Sequence, residues 1–126
     1  MIMENKVSLW LGNYINAEEL NSYINIHYDE DGNTIPSKFQ IDFDIEKYDT
    51  DAIESDWISE PCESVDKLLA GFSGDLEIIA KFKPILKNVD LRRYNSILLM
   101  YNFEYSERDL IGTGMDFIGT VDLEML

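Results

Sequence analysis

A chain of 126 residues has the length of a single domain, and 45% hydrophobic residues with 12% aromatics exclude a disordered or fibrous class. Twenty-five acids against ten bases give a net charge of −15, which opposes direct contact with nucleic-acid phosphates or anionic membranes and favours encounter with a basic protein. The one cysteine, Cys62, excludes an internal disulfide and a Cys-rich zinc site; with no secretory pattern in MIMENKVSLWLG and no apolar run long enough for a bilayer, a cytoplasmic setting is expected.

The first predicted element is Lys6–Gly12, KVSLWLG. Val7, Leu9 and Leu11 share one face of a strand, with Ser8 and Trp10 on a second face that is also covered. Asn16 stands three residues before Glu19, a capping-box spacing, so a helix is expected over Ala17–His27. Its apolar stripe is Leu20, Tyr23 and Ile24, extended to His27. The following YDEDGN invites a calcium-loop reading. Placing Gly32 at the sixth loop position puts His27, Asp29 and Asp31 at the first, third and fifth. The twelfth, where a bidentate Glu is required, is then Lys38, and Pro36 bars the helix that should follow. The stretch therefore reads as a turn around Asp31-Gly32-Asn33, and no metal is expected.

Ser37 is placed to cap a short helix, Ser37–Phe43, with Phe39 and Phe43 turned inward together. The chain then enters its most acidic part. Asp42–Glu60 holds eight acids and only Lys47, and residues 1–60 carry net −11 where residues 61–126 carry −4. Phe43, Tyr48 and Trp57 within the segment mark it as folded and surface-facing rather than a charged tail. Ala52–Ser59 reads as a strand with Ile53, Ser55 and Trp57 on one face. Glu54 and Asp56 on the other suit an exposed or edge position.

After Pro61, Ser64 opens a helix whose buried side is Val65, Leu68, Leu69 and Phe72. Gly71, Ser73 and Gly74 punctuate it before a second helix, Asp75–Lys87, with Leu76, Ile79, Phe82 and Leu86 as its stripe and Pro84 near its end. In Asn95–Tyr105 the run Ile97–Tyr101 is apolar without a break, as in a central strand covered on both faces. Ser106–Asp109 reads as a turn. Met115–Leu123 reads as a last strand with Phe117, Val121 and Leu123 on one face, paired with its predecessor as a hairpin. The expected fold is a single α/β (α+β) domain over residues 1–126: a sandwich of helices packed on a mixed four-stranded sheet.

Catalytic signatures are absent from this pattern. His27 is the only histidine, Cys62 follows Pro61 without an activating context, and neither Gly71–Gly74 nor Gly112–Gly114 forms a nucleophile elbow or a dinucleotide fingerprint. No carboxylate spacing singles out a metal, so no enzyme activity and no cofactor are expected. Acids interleaved with aromatics suit binding instead, with charges that steer around desolvated anchors. The candidate partner-binding residues are Asp42, Asp44, Glu46, Tyr48, Asp49, Asp51, Glu54, Asp56 and Trp57, with Tyr48 and Trp57 as anchors and Asp29–Asp31 as a possible extension. The competing reading places Trp57 in the core and makes the acidity a solubilising coat.

The segments KVSLWLGNY, YDEDGNTIPSKFQIDF, the short GF between helices, YNSILLMYNFEY and FIGTVDL together resemble the immunity protein 22 family, in order and along nearly the whole chain. The shared motifs are structural and carry no site residues with them. The resemblance implies a cytoplasmic, non-enzymatic protein that protects its bacterial producer from a toxin domain. Toxins that attack nucleic acids tend to be basic, so a basic cognate toxin, with nucleases among the candidates, is the expected partner of the acidic segment. The alternative is an acidic phosphate mimic that inhibits some other nucleic-acid-binding protein.

Overall fold

Strand β1, Ile2–Gly12, is the spine of the molecule, and only its alternating half, Val7 to Gly12, is fully enclosed. A computed structural model describes residues 2–105 and 113–124. Helix α1, Ala17–Ile24, begins as expected, with the Asn16 side chain accepting from the Glu19 N–H at 2.9 Å. It stops at Ile24, short of the predicted His27, because Asn25 turns extended. His27–Tyr28 is instead strand β2, paired antiparallel with β3, Thr34–Ile35, in a small exposed ribbon. The DEDGN stretch is the turn of that ribbon. One oxygen of Asp29 accepts from both the Asp31 and Asn33 N–H groups at 2.9 Å, and Gly32 supplies φ +82°.

Helix α2, Lys38–Phe43, has the full capping box between Ser37 and Gln40 and closes on Asp44 in the left-handed conformation, φ 54°. A single 3-10 turn, Thr50–Ala52, leads into β4, Ile53–Trp57. Helix α3, Val65–Leu68, is capped by Ser64, and α4 spans Asp75–Leu86. Strands β5, Ser96–Phe103, and β6, Asp116–Asp122, complete the fold. The predicted turn at Ser106–Asp109 lies outside the described residues.

The sheet order is β4-β5-β1-β6, and every neighbouring pair is antiparallel. The fold class and the four strands are as expected, but the sheet is antiparallel throughout rather than mixed. The parallel relations, β1 with β4 and β5 with β6, survive only between second neighbours. The predicted β5–β6 hairpin does not exist either. Strand β1 is apolar on both faces, so it takes the centre and separates them. A bulge also breaks the period of β6. Leu9 faces Gly119 while Trp10 faces Phe117, leaving Ile118 as the extra residue. Phe117 thus packs on the face opposite Val121 and Leu123, not beside them.

Helices cover both faces of the sheet. On one, α3 and α4 press Leu68, Ile78, Phe82 and Leu86 against Leu9 and Leu99 in an aliphatic cluster. On the other, α1 and α2 bring Leu20, Tyr23, Phe39 and Phe43 to Trp10, Leu98 and Met100. Trp10 is fully buried, with Phe39 edge-on at 5.0 Å and Phe43, Tyr105 and Phe117 around it. Each such enclosed side chain contributes about 1.5–3 kcal/mol relative to exposure. The stripe of α4 differs from expectation in its first turn. Ile78 is enclosed, while Leu76 is 84% exposed. Pro84 sits in the last turn without ending the helix before Leu86.

Candidate partner-binding surface

The acidic segment runs from the end of α2 through the 3-10 turn into β4, which is one edge of the sheet. Its nine predicted residues divide into three groups.

Two carboxylates are built into the fold. Asp42 Oδ2 accepts from the Tyr23 hydroxyl at 2.6 Å and from the Gly114 N–H at 2.8 Å. Tyr14 donates to the Gly114 carbonyl at 2.9 Å, and its ring lies 5.5 Å from that of Tyr23. A Cβ on Gly114 would stand 2.4 Å from the Tyr23 ring and 2.5 Å from the Tyr14 oxygen, so the site admits glycine alone. Burial first, and then the Asp42 charge, pushes the Tyr14 phenol up to about 12; burial and the Asp42 hydrogen bond raise Tyr23 further still.

Glu54 is the second. Its two oxygens accept from the Ser73 N–H at 2.8 Å and the Ser73 hydroxyl at 2.6 Å, and Tyr101 adds a bond at 2.9 Å. The edge strand is thereby tied to the turn between α3 and α4. Partial burial raises the Glu54 carboxyl, but the hydrogen bonds from Ser73 and Tyr101 outweigh it and hold the group below the usual carboxylate range.

The two aromatic candidates are half-buried. Tyr48 and Trp57 both pack against the cluster around Trp10, and the Trp57 indole N–H donates to the Tyr14 carbonyl at 2.8 Å. Each is fixed in place while keeping part of its ring open.

The remaining five, Asp44, Glu46, Asp49, Asp51 and Asp56, are exposed. Asp49 and Asp56 each use one oxygen on a nearby N–H, that of Asp51 and that of Trp57, both at 3.0 Å. Among the described residues, the ion pairs are Lys6 with Glu104 and Asp122, Lys83 with Asp66, and Arg92 with Asp90. None reaches an acid of Asp42–Glu60, so this charge stands uncompensated. The extension at Asp29–Asp31 is only partly free, because Asp29 is spent on its own turn.

An open groove of about 400 Å³ follows β4, lined by Glu54, Ser55, Asp56, Ala70, Gly71 and Phe72. Reading along the chain missed Tyr14, Ser73, Tyr101 and Gly114, the residues that hold this surface in shape. Their partners lie 43, 19, 47 and 72 positions away, so no local spacing could mark them. The two residues considered for nucleophilic chemistry do not meet. Cys62 packs on the aliphatic cluster, whereas His27 lies in the ribbon after α1, the helix of the opposite face. No helix among the described residues is long and apolar enough to cross a membrane.

The Immunity protein 22 family model matches residues 7–124, nearly the full chain. The chain belongs to that family. Membership carries a coarse function, immunity against a toxin, and immunity proteins of this kind are generally non-enzymatic. No curated protein and no solved structure matches the chain.

Proposed function

We propose that this immunity protein acts in the cytoplasm by binding alone, setting the exposed carboxylates of Asp44, Glu46, Asp49, Asp51 and Asp56 against a basic cleft of its toxin and denying that cleft to an anionic substrate. A toxin that attacks nucleic acid, such as a nuclease, has such a cleft. The observation that carries the reading is the five exposed acids between Asp44 and Asp56, none paired with a base among the described residues. Such a field speeds association and selects a cationic partner. The half-buried Tyr48 and Trp57 supply rigid apolar area at its side. Asp42 and Glu54 hold the surface in position and are not contacts.

The test is the triple variant Asp49→Lys, Asp51→Lys, Asp56→Lys, titrated calorimetrically against a toxin domain that the wild-type chain binds. Affinity falls by roughly a hundredfold or more, with an unchanged far-UV spectrum. Wild-type affinity also falls steadily with added salt. Affinity and salt dependence like those of the wild type in the triple variant would place the toxin elsewhere.

A further inference from the structure

The register of β4 decides which way each peptide of this edge strand points. Glu54 stands opposite Leu99 and Asp56 opposite Ile97, and just beyond the strand the Ile58 N–H donates to the Asn95 carbonyl at 2.8 Å. Hydrogen-bonded and non-hydrogen-bonded pairs alternate along an antiparallel ladder. Ile58–Asn95, Asp56–Ile97 and Glu54–Leu99 are therefore the bonded pairs. The N–H and C=O groups of Ile53, Ser55 and Trp57 point away from β5, off the sheet. At Trp57 that N–H is taken by the Asp56 carboxylate at 3.0 Å. At Ser55, an exposed residue in mid-strand, neither backbone group has a partner among the described residues.

An open edge of this kind accepts an added strand, whose backbone completes the ladder and whose alternate side chains set specificity. Charge chooses the occupant. Asp49 and Asp51 lead into β4 and Asp56 lies on it, with no pairing base among the described residues. A second copy of the chain would bring these acids against their own equivalents, so the edge rejects self-pairing and favours a cationic strand. The two faces then sort its side chains. On one, the groove of about 400 Å³ is lined by Asp56, one of whose oxygens accepts from the Trp57 N–H, and by Phe72. A Lys or Arg fits there, with its head on the carboxylate and its methylene stem on the ring. On the other, the incoming residue meets Ile53, Ser55 and Trp57, where an apolar side chain packs.

We propose that β4 receives an extended segment of the toxin in which Lys or Arg alternates with apolar residues, added as a fifth strand of the sheet. This rests on the acidic-surface reading above and adds to it a backbone contact that charge alone does not require.

Ser55→Pro tests it. The Ser55 N–H takes no part in the β5 ladder, so proline removes an outward donor and obstructs the edge while leaving the internal pairing intact. Ser55→Ala keeps the donor and loses only the hydroxyl. Against a toxin domain that the wild-type chain binds, Ser55→Pro binds roughly tenfold or more weakly, and Ser55→Ala binds within about twofold of wild type. Amide exchange in the wild-type complex supplies a second readout that does not depend on the proline variant folding: the Ser55 amide slows markedly when toxin is bound. An unchanged Ser55 exchange rate, or equal binding by the proline and alanine variants, overturns strand addition. If the triple lysine variant still loses binding in that case, the acidic surface stands without it; if it too binds normally, both readings fall. Sedimentation of the chain alone gives a monomer, and a dimer abolished by Ser55→Pro would make a second copy the occupant and overturn the proposal.

Discussion

Two carboxylates on opposite edges of the sheet, Asp122 and Glu54, are held in opposite ways. At the β6 edge, Lys6 pairs with Asp122 and Glu104, and Lys81 adds its field. The Lys6 hydrogen bond first, and the Lys6 charge after it, hold the Asp122 carboxyl below its ordinary range. At the β4 edge, Glu54 is held just as firmly, but by Ser73 and Tyr101, which are neutral. A carboxylate fixed by neutral donors keeps its full charge, whereas one fixed by lysine is cancelled at short range. Binding energy spent on order is therefore separable from charge neutralisation, as the contrast between Glu54 and Asp122 shows. This is how the chain can carry a net −15 and still present it unevenly.

Breaking the neutral tie has the largest expected effect. Glu54→Ala strands the Ser73 N–H and hydroxyl, leaves Tyr101 only its bond to the Ser73 carbonyl, and loosens the α3–α4 turn from β4. With allowance for solvent access, the cost is about 2 kcal/mol in a urea titration. Glu54→Gln sharpens the same point through pH. A carboxyl whose folded-state pKa is depressed stabilises the fold above its unfolded pKa, and that contribution is lost as pH falls through the folded value. The stability gap between wild type and Glu54→Gln is thus constant above the ordinary carboxylate range and closes as pH falls through and below it. A gap that stays open in acid would mean the charge of Glu54 contributes nothing. Breaking the ionic tie matters least. Lys6→Ala lowers the melting temperature by less than about 3 °C, because exposed pairs are weak, and molar salt erases even that difference. A larger loss that survives salt would remove the contrast between the edges.

The parts of this fold that were legible in the sequence are those settled within a few residues. Asn16, Ser37 and Ser64 cap helices where their spacing said they would, and the DEDGN stretch is a turn because its own Asp29 closes it. The apolar run Ile97–Tyr101 does mark a strand with neighbours on both sides. Relations across the chain were not legible. Nothing near β5 or β6 shows that β1, at the other end of the sequence, separates them. The bulge at Ile118 reverses a face that strict alternation assigns to Phe117. In α4, stripes begun at Leu76 or Ile78 share Phe82 and Leu86, so periodicity could not choose between them. The acidic surface was legible as composition, but not its sorting. Asp42 and Glu54 look like their neighbours until Gly114, Ser73 and Tyr101 arrive from elsewhere.

The two tryptophans of the chain occupy very different settings. Trp10 is sealed among four aromatic rings, while Trp57 keeps part of its indole in water at the acidic edge. In Trp10→Phe, emission then comes from Trp57 alone, and docking at the proposed surface shifts it to the blue; in Trp57→Phe, the light from Trp10 keeps its colour. If the proposed docking holds, the molecule carries its own optical gauge of arrival, with an internal reference on the shielded side.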